Sequence, residues 1–145
     1  MYSSVFSYEA VPLDPAPEAF PRRTSTLRPR IPVALTAQGV IFPCLALVDS
    51  GADDCLFPIS FARQLGLKVP SRRRYAFSGA GGGDIQVAYF FDLQITIERI
   101  ARYRIPIGFT TALEGHNIGV LGQNGFFDHF EVNFNLRNGI FTLTR

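Results

Sequence analysis

Asp49, Ser50 and Gly51 close the apolar run Leu45, Ala46, Leu47, Val48, and Asp53 and Asp54 follow almost at once. A carboxylate set directly after wholly apolar residues is costly to bury alone. The cost falls if a second carboxylate lies opposite and the two share one proton. Such a pair does acid–base chemistry on water: the ionised member takes a proton from it, while the protonated member polarises a carbonyl. The chain carries the tripeptide once and shows no repeat able to supply another, so the second carboxylate must come from another copy across a two-fold axis. The plain alternative is an ordinary turn, in which Asp and Ser bond local backbone and Gly accepts positive φ.

The elements that must position Asp49 are legible around it. Residues 31–37 and 40–48 are largely β-branched or apolar and are separated by Gln38-Gly39, which predicts a hairpin running straight into Asp49. Residues 58–65 have helical spacing, with Pro58 at the start and Gly66 at the expected C-terminal cap. Strands are predicted over 75–78 and 85–97, and between them Ser78, Gly79, Ala80, Gly81, Gly82 and Gly83 form a pliant hairpin tip. Further strands are expected over 103–109 and 118–121, then a helical turn over 124–129. A last hairpin spans 131–136 and 140–144 around Asn138-Gly139. The fold class is therefore all-β with one or two short helices.

Composition agrees. With 145 residues, 47% hydrophobic and 18% charged, the chain can bury a core as one domain. Residues 1–26 differ from the rest: Pro12, Pro15, Pro17 and Pro21 remove backbone donors, so this stretch reads as an arm or linker, an added strand or a pro-segment, with the folded domain over 27–145. A net charge of +2 is too small to imply nucleic acid, and the clusters Arg22-Arg23, Arg28/Arg30 and Arg72-Arg73-Arg74 read as solvated surface. Cys44 and Cys55 fit no zinc spacing, so neither metal nor cofactor is expected. Cys55 reads as a packing residue, and His116 and His129 as structural or surface residues far from any nucleophile. No transmembrane run or secretory signal is evident, which points to a cytoplasmic protein without membrane partners.

The segment Ala46, Leu47, Val48, Asp49, Ser50, Gly51, Ala52, Asp53, Asp54 resembles the active-site segment of the retropepsin-like aspartic proteases, single-domain enzymes that act as homodimers. The likeness continues in order. The Gly-rich stretch from Ser78 to Gly83 sits where the family places its flap, Val120, Leu121 and Gly122 match its hydrophobic-hydrophobic-Gly element, and 130–139 is similar to the closing hairpin of cellular and bacterial members. The resemblance covers about residues 28–145.

It implies a closed β-barrel active as a C2 homodimer and an aspartic endopeptidase that hydrolyses internal peptide bonds with an activated water. Asp49 would be the catalytic carboxylate, Ser50 would bond the partner's main chain beneath the dyad, and Gly51 would let backbone approach substrate. Ala52, Asp53, Asp54 and the tip Ser78, Gly79, Ala80, Gly81, Gly82, Gly83 would bind substrate, and Val120, Leu121 and Gly122 would support the active-site loop. The Gly-rich tip lacks the residues of a phosphate loop; a plain linker is its other reading. Phe77, Ile85, Phe109 and Val120 are candidate pocket walls for a polypeptide substrate.

One position departs from the retroviral pattern. Those enzymes commonly carry Arg after the Gly, paired with an acidic residue beyond the active-site turn, whereas Gln123 and Asn124 follow Gly122 here. That ion pair is absent, so the dimer is expected to be weaker or held by different contacts. The second function to weigh is a non-proteolytic dimerisation or peptide-binding module on the same fold, gripping an extended partner by strand addition.

Overall fold

The computed structural model describes residues 2–79 and 81–145; Ala80, part of the expected tip, lies outside the described residues. The chain opens with β1 (Ser3–Ser7), followed by a ribbon of β2 (Glu9–Pro12) and β3 (Ser25–Arg28) paired antiparallel from Glu9↔Arg28 to Pro12↔Ser25. Next come β4 (Arg30–Ala37) and β5 (Val40–Val48), joined by Gln38 and Gly39 at φ 51° and 77°. Two left-handed residues are what a two-residue hairpin needs to match strand twist.

After β6 (Leu56–Pro58) the helix α1 (Ile59–Gln64) ends as expected. Gly66 takes φ 73°, its N–H bonds the Arg63 carbonyl, and the Leu67 N–H reaches back to the Ala62 carbonyl. That pair of bonds satisfies carbonyls the helix end would otherwise orphan. The long hairpin follows: β7 (Arg74–Phe77) pairs with β8 (Gln86–Ile97), which pairs in turn with β9 (Ala101–Thr110). The chain closes with β10 (Gly119–Leu121), β11 (Glu131–Asn135) and β12 (Ile140–Thr144).

Strands β4, β5, β10, β6, β9 and β8 follow one another round a sheet that closes through β4–β8 pairing, giving a six-stranded barrel from which β7 projects. Its interior comes from period-two patterning. Ile31, Val33 and Leu35 of β4, Leu93, Ile95 and Ile97 of β8, and Ile105, Ile107 and Phe109 of β9 are all buried. Each such fully buried side chain contributes roughly 1.5–3 kcal/mol of transfer free energy.

In β8 the buried parity slips. Ala88 and Phe90 are buried on one phase and Leu93 onward on the other, as the strand passes from its partner β7 to its partner β4. The Phe90 ring therefore lies across Gly108, where a Cβ would come within 2.8 Å of it and 2.7 Å of Leu56. A side chain there would have to push the Leu56 and Phe90 side chains aside.

A separate three-stranded sheet, ordered β1-β12-β11, joins the two ends of the chain. Its inner face carries Phe6, Phe141 and Phe134, with Phe6 stacked on Phe141 at 5.5 Å. The C-terminal hairpin turns through a 3-10 turn (Leu136–Asn138) and left-handed Gly139, with the Asn135 side chain accepting from the Asn138 N–H at 3.1 Å. The connection is thus longer than a two-residue Asn-Gly turn.

The helical turn expected over 124–129 is not regular. Gly125 takes φ 106°, the N–H groups of Phe127 and Asp128 bond carbonyls five residues back, and the Asp128 carboxylate accepts from the Gly125 N–H at 2.9 Å. One turn does form after the glycine, where the His129 and Phe130 N–H groups both bond the Phe126 carbonyl.

Candidate active site

Asp49 leaves the end of β5 beside the end of β10. The two strands run parallel, with Val48 opposite Leu121, and the Asp49 N–H donates to the Leu121 carbonyl at 3.0 Å. Each chain segment continues into the other's loop. The Gln123 N–H bonds the Ala52 carbonyl at 2.8 Å and the Asn124 N–H bonds the Asp53 carbonyl at 2.9 Å. Gly122 is the crossing point: a Cβ there would stand 2.3 Å from the Asp54 carbonyl oxygen and 2.6 Å from that of Ala52.

The Asp49 side chain is half-buried, and its Oδ1 accepts from the Gly51 N–H at 2.9 Å. That contact is an Asx-type turn, so the bland reading of the tripeptide describes its local geometry correctly. It leaves the other carboxylate oxygen for chemistry. Ser50 and Gly51 are exposed. The amide of Gln123 donates through Nε2 to the Ser50 carbonyl at 3.2 Å, and Asn124 donates through Nδ2 to Asp54 Oδ1 at 3.1 Å. Neutral amides thus brace the loop where retroviral enzymes use an ion pair.

Of the predicted residues, the structure gathers Asp49 through Asp54 with Val120, Leu121 and Gly122 into one knot. Leu121 is fully buried beneath it, and Val120 faces Leu47 across the β5–β10 pair. Asp53 is exposed, whereas both Asp54 oxygens have partners, Oδ1 in Asn124 and Oδ2 in the Tyr75 hydroxyl. Tyr75 is a site residue that sequence reasoning missed. Ser78, Gly79, Gly81, Gly82 and Gly83 form the exposed end of the β7–β8 hairpin, where added side chains would meet nothing within 4 Å at any of the four glycines. Gly82 and Gly83 take φ 78° and 110°, and the Gly82 N–H bonds the Gly79 carbonyl.

Phe109 is a correction. It is fully buried in the barrel against Phe91, on the same parity as Ile105 and Ile107, so it walls no pocket. Ile85 is exposed, and Phe77 packs edge-on against Tyr75. Val120 lines a cavity of about 230 Å³ with Leu47, Leu113, Ile118, His116 and Arg28.

Burial disfavours the thiolate form of both cysteines. Cys55 is fully buried, with its Sγ donating to the Asn124 carbonyl at 3.5 Å, and burial pushes it up to about 12; burial does the same to Cys44. His129 stacks on Tyr103 and bonds Asp128 at 2.7 Å, and His116 is exposed in a loop. Arg73 pairs with Asp92 at 2.7 Å.

Residues 31–124, from the first barrel strand to the amide brace, match the family described as aspartyl protease. The chain belongs to the aspartyl proteases. Its fold matches the crystal structure of a retropepsin-like aspartic protease from Rickettsia conorii with a TM-score of 0.61, covering 99% of each chain at 14% identity. No curated protein matches the sequence. In this aspartyl protease the matched region contains Asp49, the knot that holds it and the β7–β8 hairpin. Among the described residues no helix is long and apolar enough to cross a membrane.

Proposed function

We propose that the chain is an aspartic endopeptidase whose active site forms when two copies bring their Asp49 carboxylates together across a two-fold axis. The observation that carries this reading is a single, half-buried Asp49 on a loop braced from both sides, in a chain with no second Asp-Ser-Gly. In the dimer the ionised carboxylate takes a proton from a water, which attacks the scissile carbonyl carbon, while the protonated carboxylate gives its proton to the carbonyl oxygen. The first carboxyl then gives the water-derived proton to the leaving nitrogen as the C–N bond breaks, and the second takes a proton back from the diol, which leaves the product acid and restores the dyad. No covalent intermediate with the protein is needed.

The roles of the other residues follow. Ser50 bonds the partner's main chain beneath the dyad, Gly51 lets backbone approach the substrate, Asp53 and the Gly79 to Gly83 tip contact an extended polypeptide, and the β7–β8 hairpin acts as a flap that excludes water once substrate is bound. The depression beside Leu47 and Val120 takes an apolar substrate side chain. Residues 27–145 are read as the protease domain and 1–26 as an arm whose strand β1 adds to the terminal sheet.

Cleavage of an unstructured polypeptide in mildly acidic buffer tests the reading. Wild-type turnover that disappears in Asp49→Asn supports it. Equal turnover by the variant defeats it, and binding of peptide without turnover favours the non-proteolytic module.

A further inference from the structure

The β7–β8 hairpin leaves the barrel with few supports of its own. Strand β7 pairs on one side only, with β8, and every residue from Arg72 to Ala76 is exposed. A two-stranded ribbon is marginal in water without further packing. Its root nevertheless meets the active-site loop at one place. The Tyr75 hydroxyl donates to Asp54 Oδ2, and Asp54 Oδ1 is already held by Asn124 Nδ2.

The Tyr75 ring is fixed independently of that bond. It stacks on Phe90 with centroids 5.0 Å apart and planes 18° apart, as a diagonal neighbour across the β7–β8 pair, and Phe77 meets its edge at 6.3 Å. Phe90 is seated over Gly108, where an added Cβ would come within 2.8 Å of the ring. A continuous stack therefore runs from barrel wall to phenol: Gly108, Phe90, Tyr75, then Asp54 on the catalytic loop. Desolvation, and next the Asp54 hydrogen bond, raise the Tyr75 phenol above its ordinary value, so it remains a donor across the working range of pH.

We propose that Tyr75 is a positioning residue, its hydroxyl a clasp on Asp54 that anchors the root of the hairpin to the loop carrying Asp49. The inference rests on the reading of the hairpin as a flap. It assigns Asp54 to holding the flap root and leaves Asp53 as the free acidic contact. The bond is charge-assisted, so its loss matters more than that of a neutral pair. Without it, the substrate-ready position of the hairpin is less populated, and apparent substrate affinity falls by the same factor.

The test uses Tyr75→Phe in the full chain, which keeps the stack on Phe90 and removes only the donor. Hydrogen exchange of the amides in 74–77 and at Phe90 is expected to quicken about tenfold while the barrel amides of β4 and β9 are unchanged. KM should rise severalfold, with kcat altered by less than about twofold. Asp54→Ala, which removes the acceptor, should reach the same exchange rates, and the double variant should be no faster than either single one. Asp54→Asn, which keeps a neutral acceptor, should fall between.

Unchanged exchange in Tyr75→Phe, or effects of the two single variants that simply add, would overturn the clasp. Exchange is read without catalysis. A wild-type protein with no turnover would defeat the proposed function while the exchange data still decide the role of Tyr75.

Discussion

The Asp49 amide and the Leu121 carbonyl, 72 residues apart in sequence, are joined by a 3.0 Å hydrogen bond at the matched ends of two parallel strands. This bond sets the height of the carboxylate above the barrel, and the backbone bonds on either side of Gly122 fix its direction. The knot is made of main chain, so it tolerates little change.

Gly122→Ala is the sharpest probe of it. The new Cβ would press on two carbonyl oxygens at 2.3 and 2.6 Å, and neither belongs to a side chain that could move. A loss on the order of 3 kcal/mol in a urea melt is expected. Activity should fall further than the remaining folded fraction accounts for, because the same shift displaces Asp49.

Asp49→Asn should leave the fold intact and lower kcat by roughly 10²–10⁴-fold or more, the range for removing a positioned acid–base group. Thermal melting that matches the wild type, together with lost cleavage, is the expected pair of results.

A site shared between two copies would have a kinetic signature. If each centre needs one carboxylate from each of two copies, adding Asp49→Asn protein to wild type makes mixed dimers that carry one acid only. Activity at fixed total protein should then fall as the square of the wild-type fraction. A linear fall would mean that a single copy suffices.

Alkali should weaken the protein through its thiols. Burial holds Cys55 at about 12 in the folded state against an ordinary 9.0, so between those values the folded chain keeps a proton that the unfolded chain has lost. The contribution is intact below about 9 and drains away as pH climbs toward 12, at about 1 kcal/mol per pH unit for this group. Urea melts from pH 8 to 11 should show the decline, with a shallower slope in Cys55→Ala. Alkylation of either cysteine in the native protein at pH 8 should be slow.

What the sequence revealed was mostly local. Gln38-Gly39 specifies a turn by its own backbone preferences, and Gly66 ends α1 for the same reason, so both could be placed without knowing what surrounds them. Long-range partnerships were not legible. Nothing near Asp54 indicates that its two oxygens are taken by Tyr75, 21 residues on, and Asn124, 70 residues on. The alternation in 3–7 suggests a strand, but its partner is β12 at the other end of the chain. Phe109 is a different case, because its parity with Ile105 and Ile107 assigns it to the interior. The turn over 124–129 was legible, but its widened start was not, because it depends on Gly125 taking a positive φ that only the folded loop imposes.

The pairing of β1 with β12 has a practical corollary. Ser3 lies opposite Thr144 and the Arg145 N–H bonds the Tyr2 carbonyl at 2.9 Å, so the first and last strands already stand as a hairpin that lacks its loop. A short glycine linker from Arg145 to Tyr2 would complete that loop. The chain could then be reopened at an exposed surface turn such as Gly115, giving a circular permutant with the same barrel and new ends.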